Sequence, residues 1–288
     1  MQGWENSAIR VTQLGMPPLS GMFETMNVLD HRSIGFYSTE KTTEARAERN
    51  ALTTRRVLIG DRPEHTLIVL DDELIGDLCV ASARAMAAQG SIPSIEIVGV
   101  GMGEADLAEL SIFRAANYTF EQGRLDGLGW SDTGHADEFR NFLARTVLPE
   151  CTLPKAHRTI VGYSLSGSFA LQAAQGIGDQ IGAIAAISPS IWAEPATNEA
   201  ALAAYRANPE LRVFLMAGAS ENDAALTGLS KHMWEMVRDL GKNLAAFDDT
   251  RTWTQVYDGE THFSIPFRCV CDLLPRICSL RQPAAIQE

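Results

Sequence analysis

Thr159-Ile160-Val161-Gly162-Tyr163-Ser164-Leu165-Ser166-Gly167-Ser168 decides the reading of this chain. An apolar run of strand character ends in Gly-x-Ser, and an alanine-rich stretch of helical character follows at once. A serine on a sharp strand-to-helix turn has its hydroxyl pushed out of the sheet. The same turn leaves the next backbone N–H directed at the space where a negative oxygen could develop. Ser164 is therefore a candidate nucleophile, and the flanking sequence is judged by whether it supplies a base, an acid and an oxyanion site.

The neighbouring segments repeat one pattern. His65 to Asp72 reads as a buried strand running into acidic turn residues, and Glu73 to Gln89 as a helix closed by Gly90. Ile95 to Gly101 is a second buried strand. Asp137 to Leu148 carries Phe139, Phe142, Leu143 and Val147 at helical spacing, with Pro149 after it. The spacing predicts further strands at Ile181–Ile187, Leu211–Ala217 and Thr252–Tyr257, helices over Leu165–Gln175 and Leu226–Leu240 (ending at Gly241), and a last helix from about Ile265. Apolar strands alternating with helices predict an α/β fold, a mostly parallel sheet covered on both faces. The expected organisation is an N-terminal segment over residues 1–56, with edge strands and partial disorder, and one catalytic domain over 57–288. No internal repeat or low-complexity linker interrupts it.

Composition narrows the function. The chain has 288 residues, 45% hydrophobic and 21% charged, enough for one large domain with a substantial core. A formal net charge of −12, from 24 basic and 36 acidic side chains, argues against nucleic acid and anionic membrane surfaces as partners. No apolar stretch is long enough to span a bilayer. The opening Met1-Gln2-Gly3-Trp4-Glu5-Asn6 lacks the basic-then-apolar layout of a secretory signal, so a cytoplasmic location is expected. The five cysteines, Cys79, Cys151, Cys269, Cys271 and Cys278, are odd in number and form no C-x-x-C pair, so free thiols are expected and a zinc site is not.

In a parallel sheet, chemistry gathers past the carboxyl ends of the strands. After Leu211–Ala217 comes Gly218-Ala219-Ser220-Glu221-Asn222-Asp223, and after Thr252–Tyr257 comes Asp258-Gly259-Glu260-Thr261-His262. The order is serine, acid, histidine. His262 is the candidate base for Ser164. Glu221 is the first candidate to orient it and Asp223 the alternative, with Asp248 and Asp258 behind them. The oxyanion donors are expected at the N–H of Leu165 and in the turn after Leu70, at Asp72 or Glu73. Arg114, Tyr163 and Trp192 are the candidates for substrate binding, Arg114 being equally suited to a structural ion pair and Trp192 to the core. The remaining histidines, His31, His65, His135, His157 and His232, show no partner spacing. Gly99 to Gly103 fits neither a dinucleotide fingerprint nor a phosphate loop.

Several separate segments together resemble a known family. Ile68-Val69-Leu70-Asp71 is similar to a strand entering a Leu-Asp-Gly turn, Phe113 to Thr119 to an Arg-containing segment before a Tyr-Thr-Pro turn, and Phe139 to Pro149 to a helix ending in an apolar-Pro pair. Ile187-Ser188-Pro189-Ser190-Ile191-Trp192 is close to a Ser-Pro-Ser-Leu-Trp-Trp stretch. Gly218 to Glu221 and Gly259 to Pro266 fit the acid and histidine loops. From Leu67 to Pro266 the chain resembles the esterases of the esterase D and enterochelin-esterase type in the α/β-hydrolase superfamily.

The resemblance implies an α/β-hydrolase fold, a Ser-His-acid triad and a carboxylic ester or siderophore-like lactone as small-molecule substrate, with no cofactor and no metal. A homodimer is left open. Three departures stand out. Ser166 replaces a glycine of the Gly-x-Ser-x-Gly-Gly elbow. Asp72 replaces the glycine of Leu-Asp-Gly, which sets a carboxylate near the expected oxyanion site. Ala193 replaces a tryptophan, which suggests an altered or wider pocket. Hydrolysis through an acyl-enzyme is the leading expectation. The alternatives are acyl transfer or cyclisation by the same residues, and a silent binding protein on the same fold.

Overall fold

The structure, a computed structural model, describes residues 38–46, 51–123, 125, 129–224 and 232–279. The strands are β1 (Ser38–Arg46), β2 (Ala51–Ile59), β3 (His65–Leu70), β4 (Ile95–Gly101), β5 (Arg158–Tyr163), β6 (Ala183–Ile187), β7 (Arg212–Gly218) and β8 (Thr252–Tyr257). They form one sheet in the order β1-β2-β4-β3-β5-β6-β7-β8. β3 to β8 run parallel, and β1 and β2 add an antiparallel edge through the pairing of β2 with β4. The expected lack of order in the first residues falls outside the described residues.

The alternation of side chains along each strand explains why both faces are covered. Ile68 and Leu70 of β3, with Ile160, Ile184 and Leu215 of the neighbouring strands, face one layer of helices. That layer holds α2 (Leu107–Asn117), α3 (Ala136–Phe142), α4 (Leu165–Ile177), α5 (Thr197–Ala207) and α6 (Met233–Ala245). Leu67, Val69, Val161, Ala185 and Met216 face α1 (Asp77–Ala88) and α7 (Ile265–Cys278) on the other side. Each fully buried ring in the first layer, such as Phe139 or Phe169, contributes roughly 1.5–3 kcal/mol of apolar burial. Among the described residues, no helix is long and apolar enough to cross a membrane.

Some expected boundaries move, for local reasons. The helix expected from Glu73 opens as a wider turn over Asp72–Gly76 before α1 begins at Asp77. The Asp137–Leu148 segment is helical to Phe142 and then widens over Leu143–Val147 before Pro149. α6 starts at Met233 rather than Leu226, with 225–231 outside the described residues, and it continues through Gly241 to Ala245. Gly241 does not end the helix: it lies where α6 crosses β8, and a Cβ there would strike the Thr254 hydroxyl. α2 and α5 lie in segments whose sequence showed no clear period. α2 opens on a capping box, in which the Asp106 carboxylate accepts from Ala108 and Glu109 N–H while Glu109 accepts from Asp106 N–H.

His65, at the start of β3, lies at the end of the sheet opposite the strand tips that carry chemistry. Its ring is 5.0 Å from that of His157, and its buried Nδ1 has no hydrogen-bond partner. Burial, reinforced by His157, pushes His65 from 6.5 down to about 4. Folded His65 thus stays neutral over a range in which the unfolded chain is protonated. This contribution to stability is fully present above about pH 6.5 and is lost as pH falls towards 4. Thermal unfolding should show a falling Tm between those values, and His65→Gln should flatten the fall. An unchanged slope in the variant would assign the acid sensitivity elsewhere.

Candidate active site

β5 ends at Tyr163 and α4 begins at Leu165, so Ser164 makes the whole turn, at φ 62° and ψ −119°. Few L-residues adopt such a positive φ, and close packing on both sides fixes it here. Gly162 has no room for a Cβ, which would meet the Ser166 carbonyl, and one at Gly167 would lie 3.2 Å from the Gly162 carbonyl and from Pro189. Ser166 closes the turn with its side chain: its hydroxyl accepts from Tyr163 N–H at 2.8 Å and donates to the Tyr163 carbonyl at 3.0 Å. The serine that departs from the glycine pattern is thus a stitch across the elbow. Ser164 N–H donates to the Ile187 carbonyl at 2.9 Å, and Ser190 N–H to the Ser164 carbonyl at 3.0 Å.

The three residues expected from sequence order come together. His262 Nε2 lies 3.0 Å from Ser164 Oγ, and His262 Nδ1 lies 3.5 Å from Glu221 Oε2. The second approach is longer than a hydrogen bond, as is common for catalytic groups in ligand-free sites. Glu221 sits in a tight turn after β7 and is 2% exposed. Its Oε1 accepts from Gly218 N–H at 2.6 Å and from the Ser188 hydroxyl. The His262 ring stacks on Tyr163, centroids 5.0 Å apart, and the Tyr163 hydroxyl donates to the His262 carbonyl at 2.6 Å. An imidazole so placed can take the Ser164 proton, and a carboxylate beyond it can hold the tautomer.

The other acids lie elsewhere. Asp223 shares the turn of Glu221, but its side chain is outside the described residues. Asp248 caps the turn before β8 and pairs with Arg251 at 2.7 Å, so it is not part of this cluster. Asp258 is exposed and does not line the cavity.

The acidic turn after β3 sorts its three carboxylates to three partners. Asp71 is fully buried at φ 58°, and Arg114 Nε donates to both its oxygens at 3.1 Å. Arg114 Nη2 also donates to the Tyr163 carbonyl at 3.0 Å, which ties α2 to the elbow. Asp72 turns away from Ser164 and takes Arg55 of β2 at 2.7 and 2.8 Å. Its charge is thus paired at the antiparallel edge of the sheet. Glu73 accepts from Gly103 N–H at 2.6 Å and from Met102 N–H, and burial pushes its carboxyl above the usual range. As first residues of α4 and of the Asp72–Gly76 turn, Leu165 and Asp72 present N–H groups that have no acceptor within their own helix.

A cavity of about 310 Å³ opens over Ser164, with Leu165, Glu221 and His262 in its wall. Arg114, Tyr163 and Trp192 line it as well. Ala193 does not: it is buried in the core. Sequence reasoning gave no role to Ser188, which donates to Glu221, or to Ser190, whose hydroxyl is 3.1 Å from Ser164 Oγ. The available signal was their place just past the tip of β6, beside two other strand ends already credited with chemistry.

Known proteins agree with this architecture. Residues 81–263 match the family described as "Putative esterase". The ferri-bacillibactin esterase BesA of Bacillus subtilis is 28% identical over 191 residues, 61% of this chain and 64% of that protein. The chain thus spans 64% of the length of this curated relative. Among solved structures, the BES protein of Bacillus cereus superposes with a TM-score of 0.65 at 20% identity, covering 83% of this chain and 96% of that one. The siderophore hydrolase EstA of Aspergillus nidulans superposes at 0.69 and 15% identity, covering 94% and 100%. The sheet, its helical layers and these neighbours show the α/β-hydrolase fold expected from the sequence, and the chain belongs to the putative esterase family.

Proposed function

We propose that this protein hydrolyses a carboxylic ester or lactone through an acyl-enzyme. The observation that carries the proposal is the 3.0 Å approach of His262 Nε2 to a serine hydroxyl held at a positive φ. His262 takes the Ser164 proton as Oγ adds to the ester carbonyl, and Glu221 stabilises the imidazolium that results. The N–H groups of Leu165 and Asp72 receive the oxyanion. Collapse of the tetrahedral intermediate breaks the ester C–O bond, and His262 returns the proton to the leaving alcohol. Water then adds to the acyl-enzyme with His262 as base, releasing the acid and restoring Ser164. The family membership and the relatives named for siderophore esters support ester or lactone cleavage as the reaction.

Acyl transfer and a silent site gained their appeal from a carboxylate beside the oxyanion position. Arg55 pairs that carboxylate, Asp72, on the far side of the turn, which favours an active site over a silent one. Intact-protein mass after exposure to a fluorophosphonate should show one adduct in wild type and none in Ser164→Ala. No adduct on folded wild type would refute an activated serine. Glu221→Gln should keep the packing of the acid turn and lower kcat by roughly 10²–10⁴ with KM little changed. A variant within about twofold of wild type would remove Glu221 from the mechanism.

A further inference from the structure

The cavity over Ser164 is walled by Leu74, Leu110, Trp130, Trp192, Met233 and Phe263. Its mouth is apolar as well, and openly so: Leu107 is 78% exposed, Phe263 63% and Leu74 38%. Exposed apolar side chains gathered around a reactive centre mark a surface that is covered when a ligand binds. Its volume, about 310 Å³, lies at the small end of the range for small-molecule sites.

Charge points the same way. Among the described residues lining the cavity, Arg114 is the one cation, and its charge is balanced by buried Asp71. Glu221 adds a second carboxylate to the site. An anionic group entering here would lose water without gaining an unpaired cation, and would approach a chain of net charge −12. Arg114 Nη1, which no hydrogen bond among the described residues uses, suits a neutral acceptor.

We infer that the site takes a neutral ester whose groups on both sides of the scissile bond are apolar, and that it discriminates against esters bearing carboxylates. The inference rests on the acyl-enzyme reading of Ser164 and adds its substrate class. The apolar mouth covers the substrate flanks, while Arg114 Nη1 meets an uncharged ester oxygen.

The test compares 4-nitrophenyl hexanoate with the 4-nitrophenyl monoester of adipic acid, which has similar reach but ends in a carboxylate. The purified full chain should show kcat/KM at least roughly tenfold higher for the hexanoate. Leu107→Lys and Phe263→Lys place a cation at the mouth on exposed side chains. Each should narrow that ratio roughly threefold or more by raising turnover of the adipate ester. Equal or faster turnover of the adipate ester by wild type, with fluorophosphonate labelling of Ser164 intact, would overturn the substrate class and leave the nucleophile standing. Absence of both labelling and turnover would overturn the acyl-enzyme reading and this inference with it.

Discussion

A serine held at φ 62° costs on the order of 1–3 kcal/mol relative to a relaxed backbone, and the middle of the molecule is arranged to hold Ser164 there. The Ser164 N–H is bonded to the end of β6 and its carbonyl accepts from Ser190, just beyond. Gly162 and Gly167 let strand, helix and the Ser188–Ser190 turn approach closely enough for those bonds. Ser166 adds a side-chain bridge to Tyr163 on both sides of its peptide. The turn is thereby over-determined from three directions. Ser188 shows the same device one strand away: its φ of 43° lets its N–H reach the Met216 carbonyl while its hydroxyl reaches Glu221.

Carboxylates crowd the tips of β3 and β7, and the fold gives each a separate partner. Asp71 takes Arg114, Asp72 takes Arg55, and Glu73 takes two backbone N–H groups past β4. Burying such groups without partners would be expensive. With partners they act as fasteners: the Asp71–Arg114 pair joins β3 to α2 and, through the Tyr163 carbonyl, to the elbow. The antiparallel edge therefore reaches the site indirectly, since Arg55 of β2 decides where Asp72 points.

The parallel strands were legible because Leu67–Leu70, Ile97–Val100 and Ile160–Val161 are buried on both faces and read as apolar runs. Ser164, Glu221 and His262 were legible because each follows a strand. α2 was not: Leu110 and Phe113 enter the core while Leu107 and Ile112 are exposed, so no single apolar stripe appears. The places of Asp72 and Ala193 were equally hidden. A glycine replaced by aspartate announces a charge but not its direction, which depends on Arg55 lying across the sheet. Ala193 reads as a gap in an aromatic pair, yet it packs inward, away from the cavity. Ser188 and Ser190 needed knowledge of which strand tips are neighbours, since their partners lie 33 and 26 residues away.

Reactive and selective parts of this site differ in what the rest of the protein requires of them. Ser164, Glu221 and the bridge at Ser166 are buried, and each also holds the backbone together. Leu107 and Phe263 stand mostly in water, although the Phe263 ring meets His262 edge-on, centroids 5.8 Å apart. Substitutions at the rim can therefore drift with small effect on folding, whereas changes at the elbow are felt by the whole sheet. A chain built this way can acquire new substrate preferences over successive generations while its chemical step stays fixed.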